Sequence, residues 1–345
     1  MAKEEITVTH FEILRCGYFI PFARDNAHLF GTTESILQNL SDWSAGRSLI
    51  STQTYGFTDE LLPTYLLDVK QLDGDFLVCT WNRTVDASGN VLSVPGAAKV
   101  GAAAASTATL PPGNIAGYAA YFWFRPKERR FSTVQFGGMV NGRQNLIAYM
   151  DAFMAKFNPQ HVFAKHNADL HAETHKCIEG YQEDPEAREY YSLKDAMPAF
   201  DSISVRNDAL IEQIRKNLGS VHTIIRKETI KATTAAGRTH LDGVLNFFGV
   251  EKAKTNQNEY RVSYKVKYQP SEDEFDNMVK RYQEIKSSTW DDIGFLMSGR
   301  STPLWLSGSI ARTKKDIEVV RKNNVIDSEQ LLATLRAHSK VLLQS

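Results

Sequence analysis

Cysteine is scarce in this chain: Cys16, Cys79 and Cys177 are the only three among 345 residues, far apart and with no Cys-x-x-Cys pair. That spacing excludes a zinc ribbon and a disulfide framework, and it fits a reducing compartment. Net charge is missing as well, since 40 Lys and Arg offset 40 Asp and Glu, which excludes a histone-like or polybasic protein. No apolar run approaches a membrane span, and the start, Met-Ala-Lys-Glu-Glu, lacks the basic and then apolar stretch of a signal peptide. A cytoplasmic location is the expectation. Catalytic signatures are also absent. There is no Gly-x-Ser-x-Gly elbow, none of the cysteines lies in the local pattern of a catalytic thiol, and the glycines of residues 93–117 are not followed by the Lys and Ser/Thr of a phosphate loop. The expectation is a protein without enzymatic turnover, cofactor or small-molecule substrate.

What is present is enough apolar material for cores, 42% of the chain, over a length that favours two compact units. The order of elements predicts an α+β fold made of two mixed domains, the second built on a β-α-β-α unit. Residues 6–20 are largely β-branched and aromatic. Residues 65–69 and 75–80 make a hairpin across Leu72-Asp73-Gly74. Between them Thr32 caps a short helix carrying Ile36, Leu37 and Leu40. Residues 93–117 are rich in Gly, Ala and Pro and read as an exposed loop or connector that contributes little core. Residues 118–124 and 131–136 form a second hairpin, followed by a helix with Asn141 at its start and an apolar face of Leu146, Ile147, Met150, Phe153, Met154 and Phe157. The first domain is accordingly placed at 1–157, and the polar, His-rich residues 158–206 read as a linker or insertion. The second domain, 207–290, runs helix 208–218, strand 221–230, helix 241–248, strand 260–268 and helix 271–285, the last opened by the capping box of Ser271 and Glu274. Residues 291–345 form a C-terminal segment of strand and helices able to return to the first domain, with Thr313 and Asp327 as caps.

The balanced charge hides an asymmetry. Residues 206–345 carry 23 Lys and Arg against 17 Asp and Glu, whereas residues 1–205 carry 17 against 23. The basic part is the natural side for a polyanion. Within it, alternation along 261–269 sets Val262, Tyr264, Val266 and Tyr268 on one face and Arg261, Lys265 and Lys267 on the other. Cations there recur about every 7 Å, near the spacing of phosphates along one strand; the competing reading is a solvated lysine face that guards a sheet edge. Arg300 follows Ser298-Gly299, and Arg312, Lys314 and Lys315 surround the expected helix start at Thr313. Cations at a helix N-terminus oppose the macrodipole unless an anion is bound, which makes this a second phosphate-contact candidate.

Other chemistry is less well supported by spacing. His161, His166, His171, His175 and Cys177 form a His-rich run in which His171 and His175 share a face if helical, with Asp169 and Glu173 as further donors. Glu173 is not placed as in His-Glu-x-x-His, so a metal-dependent nuclease or hydrolase remains the alternative to binding, and solvated histidines are the plain reading. Asp291-Asp292 offers a carboxylate pair without identifiable partners. Trp290 and Trp305 are candidates for base stacking or for core. A pure protein-interaction module is the third possibility.

The segments 65–80 (Tyr-Leu-Leu-Asp-Val-Lys-Gln-Leu-Asp-Gly-Asp-Phe-Leu-Val-Cys-Thr) and 117–124 (Gly-Tyr-Ala-Ala-Tyr-Phe-Trp-Phe) lead into the helix that ends at Phe157. With 221–249, the run 264–270 (Tyr-Lys-Val-Lys-Tyr-Gln-Pro) and Asp291-Asp292-Ile293, they resemble the RexA-like phage-exclusion proteins of lambdoid phages. The match is a pattern of elements that leaves residues 84–117 and 158–200 as insertions. The resemblance implies a homodimeric, largely sequence-independent binder of duplex DNA with a mobile, swivel-like second domain. It also implies antiviral defence by abortive infection, through a signal to a membrane-protein effector, and it places Arg300 near the family's DNA-contacting basic residues.

Overall fold

The computed structural model describes residues 2–22, 27–58, 61–84, 92–107, 113–137, 141–164, 178–187, 189–206, 208–231, 259–284, 291–322 and 324–343. Helices and strands are mixed, and the chain divides into two compact units, residues 1–204 with 312–345, and residues 205–311. Among the described residues no helix is long and apolar enough to cross a membrane.

The first unit is organised by one long strand, β1 (Ala2–Phe19), which meets β2 (His28–Phe30) at its far end. A sheet grows from β1 through β3 (Thr64–Leu72), β4 (Asp75–Arg83), β5 (Leu92–Pro95), β6 (Ser106–Thr107), β7 (Asn114–Arg125) and β8 (Arg130–Phe136). Strands β9 (Val162–Ala164), β10 (Ile178–Tyr181) and β11 (Tyr191–Ser192) form a small sheet of their own, and β12 (Met197–Ser204) returns to β1. The main order is β12-β1-β8-β7-β4-β3, every pair antiparallel. The expected turn at Leu72-Asp73-Gly74 is there, with Asp73 and Gly74 both at positive φ, 49° and 87°, the geometry a two-residue hairpin demands.

Alternation sends side chains to two cores, one on each face of this sheet. Phe11, Ile13, Phe76, Phe122, Phe124 and Phe131 pack under helix α1 (Thr33–Ser44), capped by Thr32, and under α2 (Arg143–Lys156). Ile6, Val8, Leu77, Trp81, Tyr121 and Trp123 face the opposite way, covered by the C-terminal helices described below. Each large side chain so buried stabilises the fold by roughly 1.5–3 kcal/mol.

Two expectations fail here. The described residues of 158–206 include more than a linker, because β12 pairs along Phe11–Phe19 of β1 and sets Phe200 against Phe124 and Phe131. Its inward residues include Ser202, so no clean apolar period betrays it. The described residues of 93–117 are not a loop without core either, since Val94, Ala105 and Ile115 are buried in the second core.

The second unit opens with α3 (Asp208–Lys216) and β13 (Val221–Lys231); β14 (Glu259–Val266), α4 (Glu272–Glu284), β15 (Asp292–Met297) and β16 (Leu304–Trp305) follow. Its antiparallel sheet has the order β14-β13-β15-β16. The helix expected over 241–248 lies outside the described residues. The capping box that opens α4 is formed: the Ser271 N–H donates to Glu274 Oε2 at 2.8 Å, and the Glu274 N–H donates to Ser271 Oγ at 3.3 Å.

The chain re-enters the first unit as β17 (Arg312–Val319), antiparallel to Ala2–Thr9 of β1. The hairpin β18 (Arg321–Lys322) and β19 (Val325–Ile326) leads to α5 (Ser328–Ala337), capped by Asp327, and α6 (Ser339–Leu342). The helix expected to begin near Thr313 is therefore a strand. Ile317 and Val319 point into the core while Arg312, Lys314, Asp316 and Glu318 alternate outward, a period of two rather than 3.6.

Candidate nucleic-acid interface

Register assigns the two faces of the second unit's sheet, because residues paired across an antiparallel ladder share a face. Ile224 opposes Val266 and Phe295, and Arg226 opposes Tyr264 and Ile293. This is the covered face: Ile224, Ile293 and Phe295 pack with Ile211 and Ile214 of α3 and with Phe275 and Val279 of α4. Arg226 lies at its margin, where Nε donates to Glu228 Oε2 at 3.0 Å. Burial, reinforced by the Glu228 charge, pushes the Tyr264 phenol up to about 12.

The opposite face carries Arg261, Ser263 and Lys265 of β14, Ile225 and Lys227 of β13, Asp292 and Gly294 of β15 and Trp305 of β16. Arg261 and Lys265 are exposed and, being four residues apart on a strand, stand about 13 Å from each other. Among the described residues neither makes an ion pair. The expected alternation along β14 holds through Val266; Lys267 follows the strand, exposed, and the Tyr268 N–H extends the ladder to the His222 carbonyl at 3.2 Å. Arg300 is exposed in the turn after β15, where the Ser298 N–H donates to the Ser220 carbonyl at 2.8 Å. Both backbone bonds are made to the start of β13, so Lys267 and Arg300 mark the same end of the sheet.

Trp305 and Lys227 were not singled out together by the sequence, yet they form the most constrained contact of this face. A Cβ on Gly294 would stand 2.8 Å from Trp305 Cε3, so the indole lies directly on the glycine. On the same sheet face, Lys227 Nζ sits 4.2 Å from the indole centroid, a cation–π contact. With one ring face against backbone and a lysine over the ring, Trp305 serves as a pedestal for a cation rather than as a base-stacking platform. A Lys two residues after Ile225, on the same face of β13, was the sequence signal available. The 78-residue separation of the pair hid it.

The remaining candidates are dispersed. Arg312, Lys314 and Lys315 belong to the first unit, on β17, so the argument from a helix N-terminus no longer applies to them. Lys314 Nζ is 3.2 Å from Glu5 Oε1 across the β1 ladder. Lys315, opposite Ile6, shares the inward parity of Ile317 and is only partly exposed.

Asp292 is buried and structural: its carboxylate accepts the Ser307 N–H at 3.0 Å, the Ser307 hydroxyl and the Ile293 N–H at 2.9 Å, tying β15 to the turn that follows β16. Burial raises the Asp291 carboxyl above its usual range. His161 is buried between Tyr18 and Phe30, its ring 5.2 Å from each, with Nδ1 3.0 Å from the Gln182 carbonyl. Burial lowers its pKa, the mark of a neutral core histidine. His166, His171, His175, Cys177 and Trp290 lie outside the described residues. Among the described residues no group of three or more His, Cys, Asp or Glu is arranged to hold a metal ion.

The charge asymmetry follows the units. Residues 205–311 carry 16 Lys and Arg against 13 Asp and Glu, so the excess of positive charge belongs to the unit with the Arg261–Lys265 face. Comparison with protein-family models, curated proteins and solved structures finds no match for this chain.

Proposed function

We propose that this chain is a sequence-independent DNA-binding protein of a phage-exclusion system, of the RexA-like kind, which grips duplex phosphates with the open sheet face of its second unit. The observation that carries the reading is the pair Arg261 and Lys265, both exposed on the outward face of β14 with no carboxylate partner among the described residues. Cations kept free of ion pairs have their full charge available to phosphates, and contacts to phosphate fix position without reading sequence. Lys227, engaged over Trp305 and paired with Asp292 across the ladder, lies on the same face, while Lys267 and Arg300 extend it at the sheet's end. Arg312, Lys314 and Lys315 are secondary contributors, Lys314 being already engaged by Glu5. The resemblance further implies a homodimer that passes its signal to a membrane-protein effector.

The test is a gel-shift series with duplexes of unrelated sequence. Wild-type protein is expected to shift them all at low salt, and the double variant Lys265→Glu, Lys267→Glu to shift none. Binding that survives both charge reversals would refute the assignment of this face.

A further inference from the structure

Among the described residues strand β14 is an edge. Among the described residues it pairs with β13 alone, and backbone alternation follows from the ladder. Because the Tyr268 N–H reaches the His222 carbonyl, Val266, Tyr264 and Val262 also turn their N–H and C=O groups toward β13. Those of Arg261, Ser263 and Lys265 therefore point away from the sheet. An outward row of backbone donors and acceptors is a template for one more strand.

The two sides of this edge differ in chemistry. Its cation face carries Arg261 and Lys265. On its other face a half-open cavity of about 200 Å³ runs between β14 and α4, lined by Ile224, Arg226, Tyr264, Val266, Met278 and Ile293 with Tyr268 at its end. Of its polar lining groups, Arg226 Nε donates to Glu228 and the Tyr268 hydroxyl donates to Glu274 Oε1. Val266 and Tyr268 are nevertheless 48% and 42% exposed, apolar surface without a cover among the described residues.

We infer that β14 is a docking edge for an extended peptide that alternates acidic with apolar residues. A strand added to this edge sets every second side chain opposite Arg261, Ser263 and Lys265, where Asp or Glu is complementary. The intervening side chains fall opposite Val262, Tyr264 and Val266, and one of them enters the cavity beside Met278. A second copy of β14 is a poor occupant, because antiparallel pairing of two such edges faces Arg and Lys with Arg and Lys. The peptide edge requires no nucleic acid, though peptide and DNA would compete for Arg261 and Lys265.

Fluorescence anisotropy with a labelled peptide alternating glutamate and leucine, run against a lysine–leucine control on the full chain, tests this. The acidic peptide is expected to bind at least about tenfold more tightly than the control. Ser263→Pro removes one outward N–H and places a ring where the incoming strand would lie, while leaving the β13 ladder and every cation intact; it should weaken the acidic peptide at least about tenfold while the circular dichroism spectrum stays that of wild type. Lys265→Glu, a surface change that spares the backbone, should erase the preference for the acidic peptide. Equal binding of the two peptides, or undiminished binding by Ser263→Pro, would overturn the inference. So would sedimentation showing self-association that Ser263→Pro abolishes, because a second copy would then own the edge.

Discussion

Protonation of His10 should weaken the first unit well before general acid unfolding. His10 lies on β1, 2% exposed, with Nδ1 2.8 Å from the Ser132 hydroxyl. Burial, reinforced first by the Arg125 charge and then by that of Arg130, lowers its pKa from 6.5 to about 4 against the opposing pull of the Leu342 backbone and of Glu128. Arg125 cannot retreat, because Glu128 Oε2 and Ser132 Oγ hold its guanidinium and Trp123 underlies it at 4.6 Å. A folded-state pKa below the unfolded value means that the unfolded chain takes up the proton first. His10 therefore costs nothing above about pH 6.5 and destabilises progressively as the pH falls toward 4, to a limit of roughly 3 kcal/mol. Urea unfolding of wild type and His10→Gln at pH 7.5 and pH 4.5 isolates the effect, since every other group cancels in the difference. The variant should lose less stability than wild type between the two pH values. A His10 imidazole that titrates near 6.5 by NMR, or parallel losses in the two proteins, would refute the reasoning.

Three further outcomes are expected. Gly294→Ala drives a Cβ into the Trp305 ring, so it should cost about 1–3 kcal/mol in thermal or urea unfolding and lift Lys227 from its pedestal. Asp292→Ala leaves the Ser307 N–H and hydroxyl without their acceptor and should destabilise by about 1–3 kcal/mol, an effect that separates a structural carboxylate from a nuclease ligand. Lys314→Ala, which breaks only an exposed pair with Glu5, should leave the melting temperature unchanged and weaken duplex binding less than Lys265→Ala does.

How much of this was legible in the sequence depended on how local the cause was. The Thr32 cap, the Asp73-Gly74 turn and the Ser271/Glu274 box act within a few residues and are found where they were expected. Strands β12 and β17 escaped because both are completed by β1, from which they lie nearly 200 and just over 300 residues away in sequence. Their inward positions also include Ser202, Thr313 and Lys315, which mask the apolar period. The site divides in the same way. Alternation alone placed Arg261 and Lys265 on one face, whereas the Lys227–Trp305 contact needed the β13-β15-β16 ladder. Basic residues near Thr313 looked like a helix start because Lys and Thr are common to caps and edge strands, and only pairing decides between them.

The central claim, that exposed cations of the second unit bind duplex phosphates, is tested most directly by the salt dependence of affinity. If Arg261, Lys265, Lys267 and Arg300 each neutralise one phosphate, the slope of log K against log salt is about −3.6, or roughly a 150-fold loss between 50 and 200 mM. Arg261→Gln with Lys265→Gln should flatten that slope to about −1.8 on duplexes of any sequence. A slope near zero in the wild type, or one that the double variant leaves unchanged, would contradict the account.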